Sequence, residues 1–266
     1  MPEGHTIHRL ARDLGRDLDH GPVAALSPQG RFAEGAARID GNIFDKSEAY
    51  GKHLFCYWRT GDILHVHLGL IGKFRPTPLD DDPGDTIRLR LEGRDAAWHL
   101  TGPQSCAIIT PEDRDDITAK LGPDPLRRGA KRRDDFISRL GSTKRPIGAA
   151  LLDQSIVAGI GNVYRAELLL LTGIHPSRPA CDLDEEQAGE LWDLTVRQLK
   201  RGRKWNRIVT VSDDDVDRRV THNIAPEDAL YAYHRSDEPC RRCGTLIEAR
   251  EIAGRSIWFC PSCQPR

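Results

Sequence analysis

No run of apolar residues in this chain of 266 is long enough to cross a bilayer; the longest leucine-rich stretch, Leu168 to Leu171, falls far short of the roughly 20 residues needed. No apolar stretch of signal-peptide length follows the opening segment, where Glu3, His5, His8 and Arg9 already interrupt it. These absences argue against secretion and membrane insertion and lead to the expectation of a cytoplasmic protein. Excess positive charge is missing too. Thirty-nine Lys and Arg against 40 Asp and Glu leave a net charge of −1, so overall charge gives no reason to expect a nucleic-acid partner. Internal repeats are also lacking, which sets aside solenoids and propellers. What remains, at 38% hydrophobic and 30% charged residues, is a globular profile long enough for one large domain or two to three smaller ones.

What the chain does have is charge in patches. Acidic residues gather at Asp80 to Asp82, Asp113 to Asp116, Asp182 to Glu186 and Asp213 to Asp217. Basic residues gather elsewhere. Arg197, Lys200, Arg201, Arg203, Lys204 and Arg207 run without an intervening acid, and Arg127 to Arg133 holds five more. Arg241, Arg242, Arg250 and Arg255 surround the C-terminal cysteines. Any one cluster reads as a solvated face. Several together beside other signals point to nucleic acid.

Periodicity changes along the chain. Ile7, Leu10, Leu14 and Leu18 recur every three or four residues, predicting a helix over Glu3 to Leu18 that stops at Gly21-Pro22. From Val23 to Thr110 short apolar runs alternate with turns, and Ile87, Leu89 and Leu91 alternate with Arg88, Arg90 and Glu92, as in a β-sandwich or barrel. Gly122-Pro123-Asp124-Pro125 reads as a linker. Helices are expected at Phe136 to Leu140, Ile147 to Ile156, Val163 to Leu171 and Leu183 to Lys200, then a polar mobile loop over Arg203 to Asp228. The expected class is α+β: an N-terminal β-sandwich domain with an N-terminal helix (1–120), a helical domain (121–228) and a small cysteine module (229–266).

Cys240-x2-Cys243 and Cys260-x2-Cys263, sixteen residues apart, have the spacing of a four-thiolate zinc site. Gly244 to Phe259 between them fits a β-hairpin turning near Ala253-Gly254-Arg255. So short a module cannot bury much core, so one structural Zn2+ is expected to supply its folding energy. A redox dithiol is the alternative reading. Cys56, Cys106 and Cys181 are scattered and read as reduced thiols. His65 and His67 would face one side of a strand, as a metal pair or, with better odds, as ordinary histidines. Gly159 and Gly161 allow a tight turn before a helix starting at about Asn162, a good N-cap type, and free N–H groups at such a start can bind phosphate.

Four separated motifs together carry a family resemblance: Met1-Pro2-Glu3-Gly4, Gly51-Lys52-His53-Leu54-Phe55, the helix–two-turn–helix at Asp153 to Glu167, and Gly254-Arg255-Ser256 within the four-cysteine ribbon. In this order the chain resembles the formamidopyrimidine-DNA glycosylase and endonuclease VIII family, with a start closer to the endonuclease VIII branch and its actinobacterial-type members. The resemblance implies a bifunctional glycosylase and lyase acting on double-stranded DNA that carries an oxidised base, pyrimidines favoured, or an abasic site. One chain suffices for this, so a monomer is expected.

The implied chemistry matches the residue types. With Met1 removed, the secondary amine of Pro2 attacks the sugar C1′; α-amino groups titrate near about 7.7–8.0, so a neutral amine is accessible at working pH. The resulting iminium cannot lose a proton to become an imine, and it acidifies C2′ for β- and then δ-elimination. By resemblance, Glu3 is the general acid/base that protonates the sugar ring oxygen. Lys52 assists base loss and β-elimination, and Arg255 holds the flanking phosphates and serves δ-elimination, a task suited to a guanidinium fork. Asn162 is implied as a phosphate ligand. Lys120 stands where the endonuclease VIII branch has an arginine that contacts DNA. Gly69-Leu70-Ile71 stands where relatives carry Gln-Leu-Tyr to fill the gap left by a flipped nucleotide. Leu70 keeps the wedge, whereas Gly69 has no side chain with which to hydrogen-bond the orphaned partner base. The rival reading is a non-catalytic lesion-sensing DNA-binding protein on the same scaffold, which would not need Pro2, Glu3 and Lys52 together.

Overall fold

Helix α1 (Gly4–Asp17) forms where the apolar stripe predicts it, with Ile7, Leu10 and Leu14 buried along one edge. Leu14 is fully enclosed, so Leu14→Ala would cost about 2–5 kcal/mol. The computed structural model describes residues 2–19, 21–216 and 219–266, in two compact units, Met1–Lys120 and Leu121–Arg266.

In the first unit α1 lies against an antiparallel sheet. In chain order come β1 (Pro22–Leu26), α2 (Ala33–Ile39), β2 (Asn42–Tyr50), β3 (His53–Trp58), β4 (Ile63–His67), β5 (Lys73–Thr77), β6 (Ile87–Glu92), β7 (Ala97–Thr101) and β8 (Ser105–Ile109). The strand order is β5-β7-β6-β1-β2-β3-β4-β8. The β1–β2 pairing spans only Pro22↔Ile43 and Val23↔Asn42, so it hinges two four-stranded halves. Leu89, Leu91 and Leu100 of one half and Leu54, Leu64 and Val66 of the other share a single core with α1, the β-sandwich that alternating apolar residues predict. Arg90 departs from the simple alternation. It is 2% exposed, because the segment Leu79 to Asp81 folds over it and takes its N–H groups on the carbonyls of Asp81 (2.7 Å) and Leu79 (2.6 Å).

Two helices of this unit have no counterpart in the apolar pattern, α2 and α3 (Pro111–Ala119). Helix α3 buries no residue, so it has no stripe to read. It is held at its start by a capping box between Thr110 and Asp113, with Pro111 in the first turn.

The second unit begins with the supposed linker, which is instead packed. Asp124 is 1% exposed, Gly122 N–H donates to the Gln154 carbonyl, and Ala158 N–H donates to that of Pro123. A Cβ on Gly122 would lie 2.5 Å from the backbone of Ile156, an approach only glycine permits. Helices α4 (Arg132–Gly141), α5 (Ile147–Ala150), α6 (Asn162–Leu171) and α7 (Glu185–Trp205) follow. Helix α5 stops six residues before the expected Ile156, because Asp153 turns its carboxylate onto Ser155 N–H and hydroxyl and diverts the backbone. Helix α7 runs past Lys200 to Trp205, so Arg203 and Lys204 are helical rather than loop. The rest of the expected loop holds a short helix α8 (Asp213–Val216) and a 3-10 turn (Pro226–Asp228), and it inserts Val209, Val211 and Ile224 into a core; residues 217 and 218 lie outside the described residues. Strands β9 (Glu248–Ile252) and β10 (Arg255–Phe259) form the expected hairpin across Ala253-Gly254. No described helix is long and apolar enough to cross a membrane.

Candidate active site and zinc ribbon

Glu3 is fully buried at the N-cap position of α1, directly after half-buried Pro2. Its backbone carbonyl accepts from Thr6 N–H at 2.9 Å, while its side chain does not cap the helix. His5, the next buried polar residue, is pushed down to about 3 by burial and is neutral at working pH. Met1, whose removal the Pro2 chemistry requires, lies outside the described residues.

Lys52 sits in the two-residue loop joining β2 to β3, closed by the Tyr50↔His53 pair. It is half-buried beside three histidines. His53 and His65 share a hydrogen bond at 2.9 Å between Nδ1 and Nε2, and the His53 and His67 rings lie 4.9 Å apart. Burial first, then the mutual field of these rings, pushes His53 to about 3 and His65 to about 4. The cluster is therefore neutral, and one ring of the bonded pair must donate while the other accepts. Among the described residues, the group of three or more His, Cys, Asp and Glu ligands gathered closely enough to hold an ion is the four cysteines.

The loop between β4 and β5 carries Gly69, Leu70 and Ile71. Leu70 is 63% and Ile71 79% exposed, so neither is a core residue. Lys120 is exposed at the C-cap of α3.

In the second unit Asn162 is the first residue of α6, and Gly161 occupies the N-cap. The Asn162 side chain therefore does not cap the helix. Its amide donates to the Ser256 carbonyl at 3.1 Å, and its Oδ1 accepts from Arg165. Arg165 is fully buried and also donates to the carbonyls of Gly148 (3.0 Å) and Ser256 (2.8 Å). The first turn of α6 is thus tied to β10 beside the exposed Arg255, across 94 positions of sequence. One turn on, buried Glu167 accepts from Thr210 Oγ1 and from the N–H groups of Tyr231, Ala232 and Tyr233. Neither Arg165 nor Glu167 appears among the sequence-derived site residues. The available signal was two opposite charges in the otherwise apolar helix Val163 to Leu171, where burial demands partners.

Cys240, Cys243, Cys260 and Cys263 place their sulfurs within 4.8 Å of one another, with Cys243–Cys260 at 3.4 Å and Cys240–Cys263 at 3.9 Å. Tetrahedral zinc with bonds of about 2.3 Å needs sulfurs about 3.8 Å apart, so the four thiolates fit the ion. Hydrogen bonds from Thr245 hold Cys243 down at about 6, favouring the thiolate. Buried Gln264 locks the second pair, accepting from Cys260 N–H and donating to the Ile174 carbonyl. Four thiolates on one ion would leave it no open position, the donor set of a structural rather than a catalytic site.

Three known families match in sequence: the formamidopyrimidine-DNA glycosylase N-terminal domain over residues 1–106, its H2TH domain over 121–212, and the zinc finger found in FPG and IleRS over 237–266. "Endonuclease 8 1" of Mycobacterium tuberculosis is 40% identical over 269 residues, covering 99% of this chain and all of that one. The chain belongs to the formamidopyrimidine-DNA glycosylase and endonuclease VIII family. Both branches are represented among the glycosylase's relatives, since "Formamidopyrimidine-DNA glycosylase" of Synechococcus is 39% identical over 211 residues, 75% of this chain and 72% of that one. In fold the glycosylase superposes on Lactococcus lactis Fpg in complex with abasic-site DNA, with a TM-score of 0.81 at 24% identity, covering 99% of this chain and all of that one.

Proposed function

We propose that this DNA glycosylase removes oxidised bases, pyrimidines favoured, from duplex DNA and then cleaves the strand by β,δ-elimination, working as a monomer. The division of labour follows the chain: residues 1–120 supply the chemistry, 121–228 the helix–two-turn–helix grip and 229–266 the zinc ribbon with one ion. The observation that carries this reading is the placement of Glu3, a fully buried carboxylate directly after Pro2 at the start of the chain.

Pro2, once it is the first residue, attacks C1′ as a neutral secondary amine. Glu3 protonates the ring oxygen as the base departs. The iminium acidifies C2′; a base takes that proton and the electron pair expels the phosphate at C3′, breaking the C3′–O bond, and a second elimination breaks the C5′–O bond in the same way. Lys52 lies beside a neutral histidine cluster, so its ammonium is the positive charge offered to the backbone phosphate there. Asn162 already gives one amide N–H to Ser256, and its other N–H serves a phosphate; Arg255 forks onto the neighbouring one. Lys120 adds a contact to the backbone, and Leu70 fills the gap left by the flipped nucleotide. Zinc, when bound, contributes no chemical step and holds the β9–β10 hairpin in shape.

The test is single-turnover cleavage of a duplex with one oxidised pyrimidine. Wild type leaves phosphate on both sides of a one-nucleotide gap. Lys52→Ala slows cleavage about 10²–10⁴-fold, with a much smaller change in duplex affinity. A wild-type protein that binds such duplexes tightly but never cuts them would favour the non-catalytic sensor.

A further inference from the structure

His234 stands at an exposed position with its backbone in the left-handed region, at a φ of +60°. The chain turns there. Arg235 N–H donates to the Ala232 carbonyl at 3.0 Å, which makes Tyr233 and His234 the central residues of a tight turn. Glycine takes a positive φ at the second central place freely, whereas a side chain is held there at a cost in strain. The imidazole kept at that cost lies flat on Trp258 of β10, with ring centroids 4.5 Å apart and planes 26° apart, and Tyr233 meets it edge-on at 4.3 Å. These contacts fix the ring without using its nitrogens: among the described residues no group hydrogen-bonds to either of them.

The frame around the turn is shared with Asn162 and Arg255. The N–H groups of Tyr231, Ala232 and Tyr233, which lead into the turn, donate to the buried carboxylate of Glu167 at 2.8, 2.8 and 2.9 Å. Glu167 lies on α6, the helix that Asn162 begins. On the far side of the turn buried Arg235 donates to the carbonyls of Tyr231 (2.8 Å) and Pro239 (3.0 Å). Trp258 stands two residues beyond Ser256, whose carbonyl accepts from Asn162. A strand rises about 3.3 Å per residue, so the ring under His234 is roughly 7 Å along β10 from that junction.

We propose that His234 is a further DNA contact, its ring donating an N–H to a backbone phosphate that adjoins those held by Asn162 and Arg255. The inference rests on the reading of this chain as a glycosylase of duplex DNA and adds a phosphate ligand to it. A neutral imidazole has one N–H and a protonated one has two, so a donor is present in either form. A phosphate oxygen is a charged acceptor, and such hydrogen bonds are roughly twice as strong as neutral ones. Because Trp258 already orients the ring, little rotamer freedom is lost when DNA binds.

The test is equilibrium binding of a duplex with one uncleavable abasic-site analogue, for wild type, His234→Phe and His234→Gly. Phe keeps the stack on Trp258 but has no donor. Gly removes the ring and relieves the backbone, so loss of folding does not confuse the result. Both variants raise Kd about tenfold, the worth of one hydrogen bond to a charged group. The titration is then repeated with the phosphates around the lesion replaced one at a time by neutral methylphosphonates. At one position wild type loses about tenfold more affinity than His234→Phe does. Either variant binding as wild type does, or losses that are equal in wild type and His234→Phe at every phosphate, overturns the proposal. A wild type that binds no duplex overturns the glycosylase reading itself.

Discussion

Asn162 donates its side-chain amide to the carbonyl of Ser256, and Arg165 donates to that same carbonyl from one turn further along α6. The helix–two-turn–helix and the zinc hairpin are therefore joined by hydrogen bonds through a buried guanidinium, and Arg255 takes its position from the strand residue next to it.

Arg165→Met keeps the length of the side chain and removes every donor. The carbonyls of Gly148 and Ser256 and the Asn162 Oδ1 then lose a partner inside the unit. At about 1–3 kcal/mol per stranded group, with relaxation, a loss of about 2–4 kcal/mol is expected in urea unfolding. Lesion-duplex affinity falls with it. Arg165→Lys recovers only part of both, because an ammonium offers its donors from one atom and cannot span the acceptors that the two guanidinium nitrogens reach.

A second expectation concerns pH. His53 and His65 are depressed to about 3 and about 4 by burial. The unfolded chain therefore takes up their protons first as pH falls. Stability from this source is fully present above about 6.5 and is lost as pH drops from there toward 4, by at most about 1.4 kcal/mol per histidine for each unit. The carboxylate of Asp13, held low by Arg9 and Arg12 against the cost of burial, gives way only below its ordinary value near 4. The window from pH 6.5 to 4.5 thus belongs to the histidines. Urea midpoints should fall across it for wild type and should fall less for the His53→Asn, His65→Asn double variant.

Much of this architecture was legible because it rests on repetition or fixed spacing. The stripe of Ile7, Leu10 and Leu14 announces α1, and two Cys-x2-Cys pairs announce the ribbon. What was not legible depends on partners distant in sequence. Gly122-Pro123-Asp124-Pro125 has the composition of a linker, yet a hydrogen bond to Gln154 packs it. Asn162 has the type of a helix cap, but Gly161 takes that position and Asn162 reaches across to Ser256.

Removal of the metal should be felt well beyond the cysteines. Native mass spectrometry should count one zinc ion per chain, and Cys260→Ser, or a strong chelator, should release it. The module is too short to fold on its core alone, so the hairpin frays and Trp258, 9% exposed, shifts its fluorescence to the red. Binding to abasic-site duplex is then lost, since Arg255 no longer has a fixed place beside Asn162. A Cys260→Ser protein that binds and cuts normally would contradict the structural assignment of the ribbon.

The most direct test of the central claim is borohydride trapping on a duplex with one abasic site, wild type beside Pro2→Gly, followed by peptide mass mapping of the adduct. A stable protein–DNA adduct in wild type on the peptide beginning at Pro2, reduced in Pro2→Gly, is the predicted result. An adduct mapping to Lys52 or to any other residue, or tight lesion binding with no adduct, would contradict it.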